Sequence, residues 1–197
     1  MIAGSEKESR SIMMDAAIRS VARYGFEGFT TKKWAAETGV AEGSLYYHFK
    51  SKDELLNETF FYIEQEILEL CQDDFKEIES SEDLKGKADR MLERYYRFLL
   101  DNPEKTLFYF RFRTSPRFNN EIRDRRSVYA GDFQKKLSSC CQEAKGEEED
   151  LILQSYVLDT TVSLAYRTIM GQLSDTEEST RKIIDLVLGG VRTVIAI

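Results

Sequence analysis

Between Gly39 and Leu55 the chain reads GVAEGSLYYHFKSKDEL, which sets two adjacent tyrosines, the only histidine and two lysines among glycines and serines. Projected as a helix at about 100° per residue, Leu45 and Phe49 fall on one side, and Gly43, Ser44, Tyr46, Tyr47 and His48 spread over the other. An apolar minority that holds a polar, aromatic majority outward suits a helix that enters a nucleic-acid groove. The chemistry on offer is contact. Gly43 lets backbone approach base edges, and Ser44 can donate or accept at a base or phosphate. The rings of Tyr46 and Tyr47 can meet thymine methyls while their hydroxyls reach phosphates. His48 can bond a phosphate, as can Lys52 together with the first amides of the helix that it opens. Thr31 and Lys32 are expected to meet backbone or a guanine edge. Glu42 could accept from a cytosine amino group, but its intermediate angle favours a solvated surface role. With a single histidine and no spaced cysteine set, carboxylate pair or Gly-rich phosphate loop, no catalytic residue, metal or cofactor is expected.

The elements that must hold this segment are legible upstream. Met13, Ala16, Ala17, Ser20, Val21 and Tyr24 recur at helical spacing, predicting a helix over Ser11–Tyr24 closed by Gly25 as a left-handed cap. The residues before it read as a short frayed lead-in. A second helix starts at Thr30 or Thr31, capable N-caps, and stops at Gly39. A third lies between Ala41 and Phe49. Ser51 with Glu54 forms a capping box that opens a fourth helix, reaching about Ile78.

Downstream, Ser80–Asp83 opens another helix. Asn102-Pro103 and Ser115-Pro116 read as caps followed by proline at the first helical position. Lys145–Asp150 reads as a solvated break, and the last two helices are expected over Asp150–Met170 and Glu177–Ile195. No strand-period segment competes. The expected class is all-α with about nine helices: a three-helix helix-turn-helix head over residues 1–53 and a body of about six helices over 54–197.

The chain has 197 residues with a formal net charge of −7. Of its 28 Lys+Arg and 35 Asp+Glu, residues 1–52 hold eight and six, leaving twenty and twenty-nine for the rest. A mildly basic head on an acidic body permits duplex binding, because affinity follows local phosphate neutralisation. No apolar run approaches a membrane span, and three unframed cysteines (Cys71, Cys140, Cys141) suit a reducing compartment; a cytoplasmic location is expected. The adjacent Cys140 and Cys141 read as reduced thiols, because helical geometry suits no bridge between neighbours.

The segment GFEGFTTKKWAAETGVAEGSLYYHFKSKDELL resembles the N-terminal DNA-binding domain of the tetracycline-repressor (TetR) family over roughly residues 10–58. The resemblance rests on Gly25-Phe26, Thr30-Thr31, Ala35 to Gly39-Val40, Leu45–Phe49 and Ser51–Leu55. It implies a homodimeric repressor with a helical ligand-binding body. It also implies DNA contacts at Thr31, Lys32, Gly43, Ser44, Tyr46, Tyr47, His48 and Lys52. Two departures stand out: Ala41 replaces a hydroxyl residue common in the family, and the recognition helix carries no arginine.

In the body, Ile183, Ile184, Val187, Leu188, Val191, Val194 and Ile195 make a wide apolar stripe on the last helix, and Gly189-Gly190 permits close approach. In the resembled family the last two helices pair with their symmetry mates, so a homodimer through them is expected. Aromatic residues crowd residues 92–112 and 156–167, where a pocket for a largely apolar or aromatic effector is expected. Its candidate lining is Tyr95, Tyr96, Phe108, Phe112, Tyr156 and Tyr166. Arg111 and Arg113 suit either an anionic ligand end or, preferentially, solvated salt bridges. The expected partners are therefore a double-stranded DNA operator, a small-molecule effector and a second copy of the chain, with no membrane. The competing reading is a helical partner-binding protein that keeps the head without operator binding.

Overall fold

The computed structural model describes residues 2–78, 84–128 and 147–195. These form α1 (Ile2–Gly28), α2 (Thr31–Thr38), α3 (Glu42–His48), α4 (Lys52–Ile78), α5 (Leu84–Asp101) and α6 (Pro103–Arg113). A stretch over 120–128 is α7, followed by α8 (Glu147–Ile169) and α9 (Glu177–Ile195). Among the described residues there is no strand, so the all-α expectation holds. No helix among them is long and apolar enough to cross a membrane. Cys71 is buried and unbridged; Cys140 and Cys141 lie outside the described residues.

Local chemistry explains several boundaries. Thr30 caps α2 by accepting from the Lys33 amide at 3.2 Å, and Gly39 closes it in the left-handed region at φ 68°. Ser51 Oγ accepts from the Glu54 amide at 3.0 Å. The Glu54 carboxylate reaches back to the Lys50 amide at 2.6 Å, one residue before the position that a strict capping box would use.

Other boundaries correct the sequence reading. α1 starts well before Ser11; Gly25 breaks it as expected, at φ 69° and ψ 175° rather than in the left-handed helical region, and a short further helical stretch reaches Gly28. Arg10 helps to hold the extension: its Nη1 donates to the His48 carbonyl and its guanidinium covers the Phe49 ring at 4.2 Å. Asn102 stands at the N-cap of α6 with Pro103 opening the helix, as expected, but its side chain makes no capping bond. Its amide instead donates back to the Phe98 carbonyl at 2.8 Å, closing the helix behind it. Ser115-Pro116 starts no helix; it lies in a turn, and Asn119 caps α7 by accepting from the Ile122 amide at 3.1 Å. α8 begins at Glu147, inside the expected break.

α1, α2 and α3 enclose Phe29, Trp34, Leu45 and Phe49, all buried. The Trp34 indole N–H donates to the Met13 carbonyl at 3.0 Å, so the large ring is buried with its polar atom satisfied. α4 leaves this head and continues unbroken into the body, packing on α1, α5 and α6. In the body Phe60 stacks on Phe112 and Tyr109 at centroid separations of 4.5 and 5.3 Å. On α9 Ile183, Ile184, Val187 and Leu188 are buried within the protomer, where α9 packs on α5 and α8. Much of the stripe expected at the dimer face therefore serves the chain's own core. At Gly190 a Cβ would come within 2.5 Å of the Tyr156 hydroxyl, so this glycine is the point of close approach between α8 and α9.

Candidate functional site

The head presents a short polar helix on a rigid apolar base. Leu45 and Phe49 anchor α3, leaving Tyr46 54% and Tyr47 82% exposed. Both rings therefore leave apolar area exposed to water. Gly43 is exposed and open: a Cβ there would meet nothing within 4 Å. Ser44 is half-buried, its amide donating to the Ala41 carbonyl at 2.9 Å. Lys32 is exposed on α2, and Lys50 is exposed at the far end of α3. Lys50, directly after the aromatic run, was not among the expected contact residues.

Three of the expected contact residues carry internal duties. The Thr31 hydroxyl donates to the Glu42 carboxylate and so ties the start of α2 to the start of α3. Glu42 is thus more than a solvated residue; it orients Thr31. His48 is half-buried and set edge-on to Tyr47 at 4.9 Å, with its Nδ1 buried and unpaired. Lys52 turns inward: its Nζ donates to the Phe29 carbonyl at 2.6 Å and lies 5.2 Å from the Phe29 ring centroid. An ammonium so engaged is less available to a phosphate than the sequence reading supposed.

The body holds a cavity of about 710 Å³ between α6, α7 and α8. Phe110, Phe118 and Val162 give it apolar walls, and Arg113, Arg123, Arg126, Asp124 and Asp159 give it charge of both signs. The six aromatic residues expected to line a pocket lie elsewhere. Tyr95, Phe108 and Phe112 are in the core, as is Tyr96, whose hydroxyl pairs with Thr168 Oγ1 at 2.8 Å. Tyr156 is partly exposed, and Tyr166 stacks on Phe110 at 4.1 Å.

Behind the cavity lies a charge cluster that the sequence reading missed. Glu64 of α4 is only 3% exposed. Arg126 Nε donates to its two oxygens at 3.1 and 3.0 Å, and the Tyr109 hydroxyl donates to Oε1. Arg113 lies 3.9 Å from Glu64 and pairs with Asp159 on α8. Burial disfavours charge on Arg113, but Tyr109, Asp159 and Glu64 outweigh it and hold the guanidinium above its usual range. Burial, with Glu64 next in effect, pushes the Tyr109 phenol up to about 12. The Tyr95 hydroxyl beside them is buried without a partner, and burial raises it well above its usual value. The signal for Glu64 was its place at helical spacing within the apolar run of Phe60, Ile63 and Ile67.

Arg111 is neither a solvated salt-bridge partner nor a cavity residue. Its Nη1 donates to the carbonyls of Val21 and Ala22, just before the Gly25 break, and so fastens α6 to α1. Among the described residues no group of three or more His, Cys, Asp or Glu could hold a metal ion.

Residues 13–59 match the family model described as "Bacterial regulatory proteins, tetR family". The chain is 32% identical over 65 residues to the fatty acid metabolism regulator protein of Bacillus subtilis (strain 168), a stretch covering 33% of this chain and 34% of that protein. The chain thus matches about a third of that relative's length. Its fold is similar to the crystal structure of a TetR family transcription regulator from Marinobacter aquaeolei VT8, with a TM-score of 0.78, 21% identity, and coverage of 95% of this chain and 97% of that one. It is also similar to FadR from Bacillus subtilis in complex with stearoyl-CoA, with a TM-score of 0.67, 19% identity, and coverage of 91% and 95%. The helix-turn-helix head thus matches the tetR family model over residues 13–59, and the helices from head to body follow the fold of solved TetR family regulators.

Proposed function

We propose that this protein is a cytoplasmic, ligand-responsive transcriptional repressor that binds a two-fold DNA operator as a homodimer. The observation that carries the reading is the exposure of Tyr46 and Tyr47 on a helix whose other face is locked into the head. α3 enters the major groove; Tyr46, Tyr47, Gly43 and Ser44 meet bases and neighbouring phosphates, with Lys32 and Lys50 on the backbone. Thr31 and His48 contribute where their internal contacts permit, and Lys52 acts chiefly by holding the start of α4 against Phe29. The head, residues 1–53, is the reading unit, and the remainder receives the ligand and dimerises.

Dimerisation uses the outward faces of α8 and α9. Ile152 is 61% and Leu186 72% exposed there, and Tyr156 is also partly exposed. Two heads on one two-fold axis match half-sites about 34–36 Å apart. A small ligand with an apolar body enters the cavity of the body and opposes DNA binding by a coupling energy of about 1–3 kcal/mol. The relative crystallised with stearoyl-CoA supports a ligand of that general kind.

The test is binding of a labelled duplex, chosen from random sequence, as salt is varied. The logarithm of affinity is expected to fall linearly with the logarithm of salt concentration. Tyr47→Ala is expected to weaken binding by about ten- to a hundredfold with no loss of folding. Absence of salt-dependent binding to every duplex would return the protein to the partner-binding reading.

A further inference from the structure

The charge at the cavity is unevenly spent. Arg126 is largely buried, yet it uses only its Nε on Glu64. A guanidinium has five N–H donors. Among the described residues the remaining donors of Arg126, on Nη1 and Nη2, have no acceptor, and neither nitrogen is one of the buried unpaired atoms. Arg126 lines the cavity. Arg123 stands at the same wall, its guanidinium 5.2 Å from the Phe118 ring centroid and its Nε donating to the Phe118 carbonyl at 3.3 Å. Two aspartates also line the cavity: the charge of Asp159 is taken by Arg113, and Asp124 is exposed at the α7 wall. Open guanidinium donors beside aromatic and aliphatic walls fit a ligand with an anionic end and an apolar remainder. The cavity's size, about 710 Å³, lies in the range of small-molecule sites.

We propose that this cavity binds an amphiphile bearing one carboxylate or phosphate-type group, which seats on Arg126 with Arg123 beside it, and that Glu64 is the internal anion with which the ligand competes. The inference rests on the proposed ligand-responsive regulator and gives its ligand a chemical class: an anionic end is required, where apolar or aromatic character alone was expected. The competition has a mechanical consequence. Glu64 lies on α4, the helix that starts at Lys52 directly after α3. When a ligand anion engages Arg126, Glu64 loses charge-assisted bonds that hold α4 against α7. The neighbouring Tyr95 hydroxyl, unpaired in the present arrangement, is a donor available to Glu64 in a second one. Two discrete partners for one buried carboxylate make a two-state element whose balance the ligand biases.

The experiment is calorimetric titration of the full chain, without DNA, with decanoate, decyl phosphate, decanol and decyltrimethylammonium, each kept below its micelle concentration. At least one anion is expected to bind about tenfold or more tightly than decanol, and the better of the two identifies the end group. Arg126→Gln is expected to abolish that preference while leaving decanol binding unchanged. Glu64→Gln, which removes the competing charge, is expected to raise anion affinity several-fold. Arg123→Gln, at an exposed position, is expected to weaken only the anions and serves if Arg126→Gln fails to fold. Equal or tighter binding of decanol or the ammonium probe overturns the proposal. So does an equal loss for all probes in the arginine variants, or no binding of any probe. Anion binding that leaves duplex binding unaffected removes the ligand-responsive reading but keeps the site. Duplex binding by a protein with no anion preference does the reverse.

Discussion

In the head, the largest buried side chains are Phe29, Trp34, Leu45 and Phe49, and none of the buried side chains there carries a charge. In the body, the interior holds Glu64, Tyr109, Arg113 and Arg126 in a charged cluster that abuts a cavity. Both regions are helical, but they bury different things. A dry apolar core has one good packing and holds the exposed α3 rigidly. A buried ionic cluster is costly to desolvate, and its bonds can be exchanged for others. The comparison teaches that the rigid region is suited to reading a fixed surface and the exchangeable one to answering a ligand.

The comparison can be broken first at Trp34. Trp34→Ala is expected to destabilise the protein by about 3–5 kcal/mol, since it opens a cavity in the small head core. Chemical denaturation measures this, and a loss below about 1 kcal/mol would show that the head core is not close-packed. Glu64→Ala comes next, at about 2–3 kcal/mol, because Arg126 and Arg113 lose their shared carboxylate. Its signature is distinct: Arg126→Gln should recover part of the loss when combined with it, and the double-mutant cycle reads the coupling.

Smaller effects sharpen the same contrast. Thr30→Ala, which removes the α2 cap, is expected to cost about 1 kcal/mol in a thermal melt. The smallest belongs to Asp15, on α1. Burial lifts its carboxyl above the usual 3.8, against the pull of Lys105 and Arg19. The folded state therefore holds this proton more tightly than the unfolded chain does. Stability contributed by the protonated form is lost as pH rises from about the unfolded value through the folded one. Asp15→Asn is expected to stabilise by less than about 0.5 kcal/mol above that window and to have no such benefit below it, as melts across acidic to neutral pH would show.

Legibility in the sequence followed the range of the interactions. Thr30, Gly39 and Ser51 act on amides or carbonyls within four residues, so the limits of α2 and the start of α4 could be read directly. The outward course of Tyr46 and Tyr47 followed from the period of one short helix. Asn102 marks the start of α6 as expected, yet two helices compete for its side chain, and its amide serves the earlier one. Lys52 misled because Phe29, its partner, is 23 residues away. Arg126 and Glu64 are 62 residues apart, so no local spacing announces their pairing. The apolar stripe of α9 was visible, but periodicity alone does not say whether a helix faces its own chain or a second copy.

The central claim is that the exposed face of α3 reads a duplex, two copies at a time. Selection of bound sequences from random duplexes, by the full-length chain at moderate salt, tests it most directly. The expected result is enrichment of a two-fold-symmetric site with half-sites about one helical turn apart, bound by a dimer. A pool that stays unenriched, recovered with protein that sediments as a single chain, would contradict it.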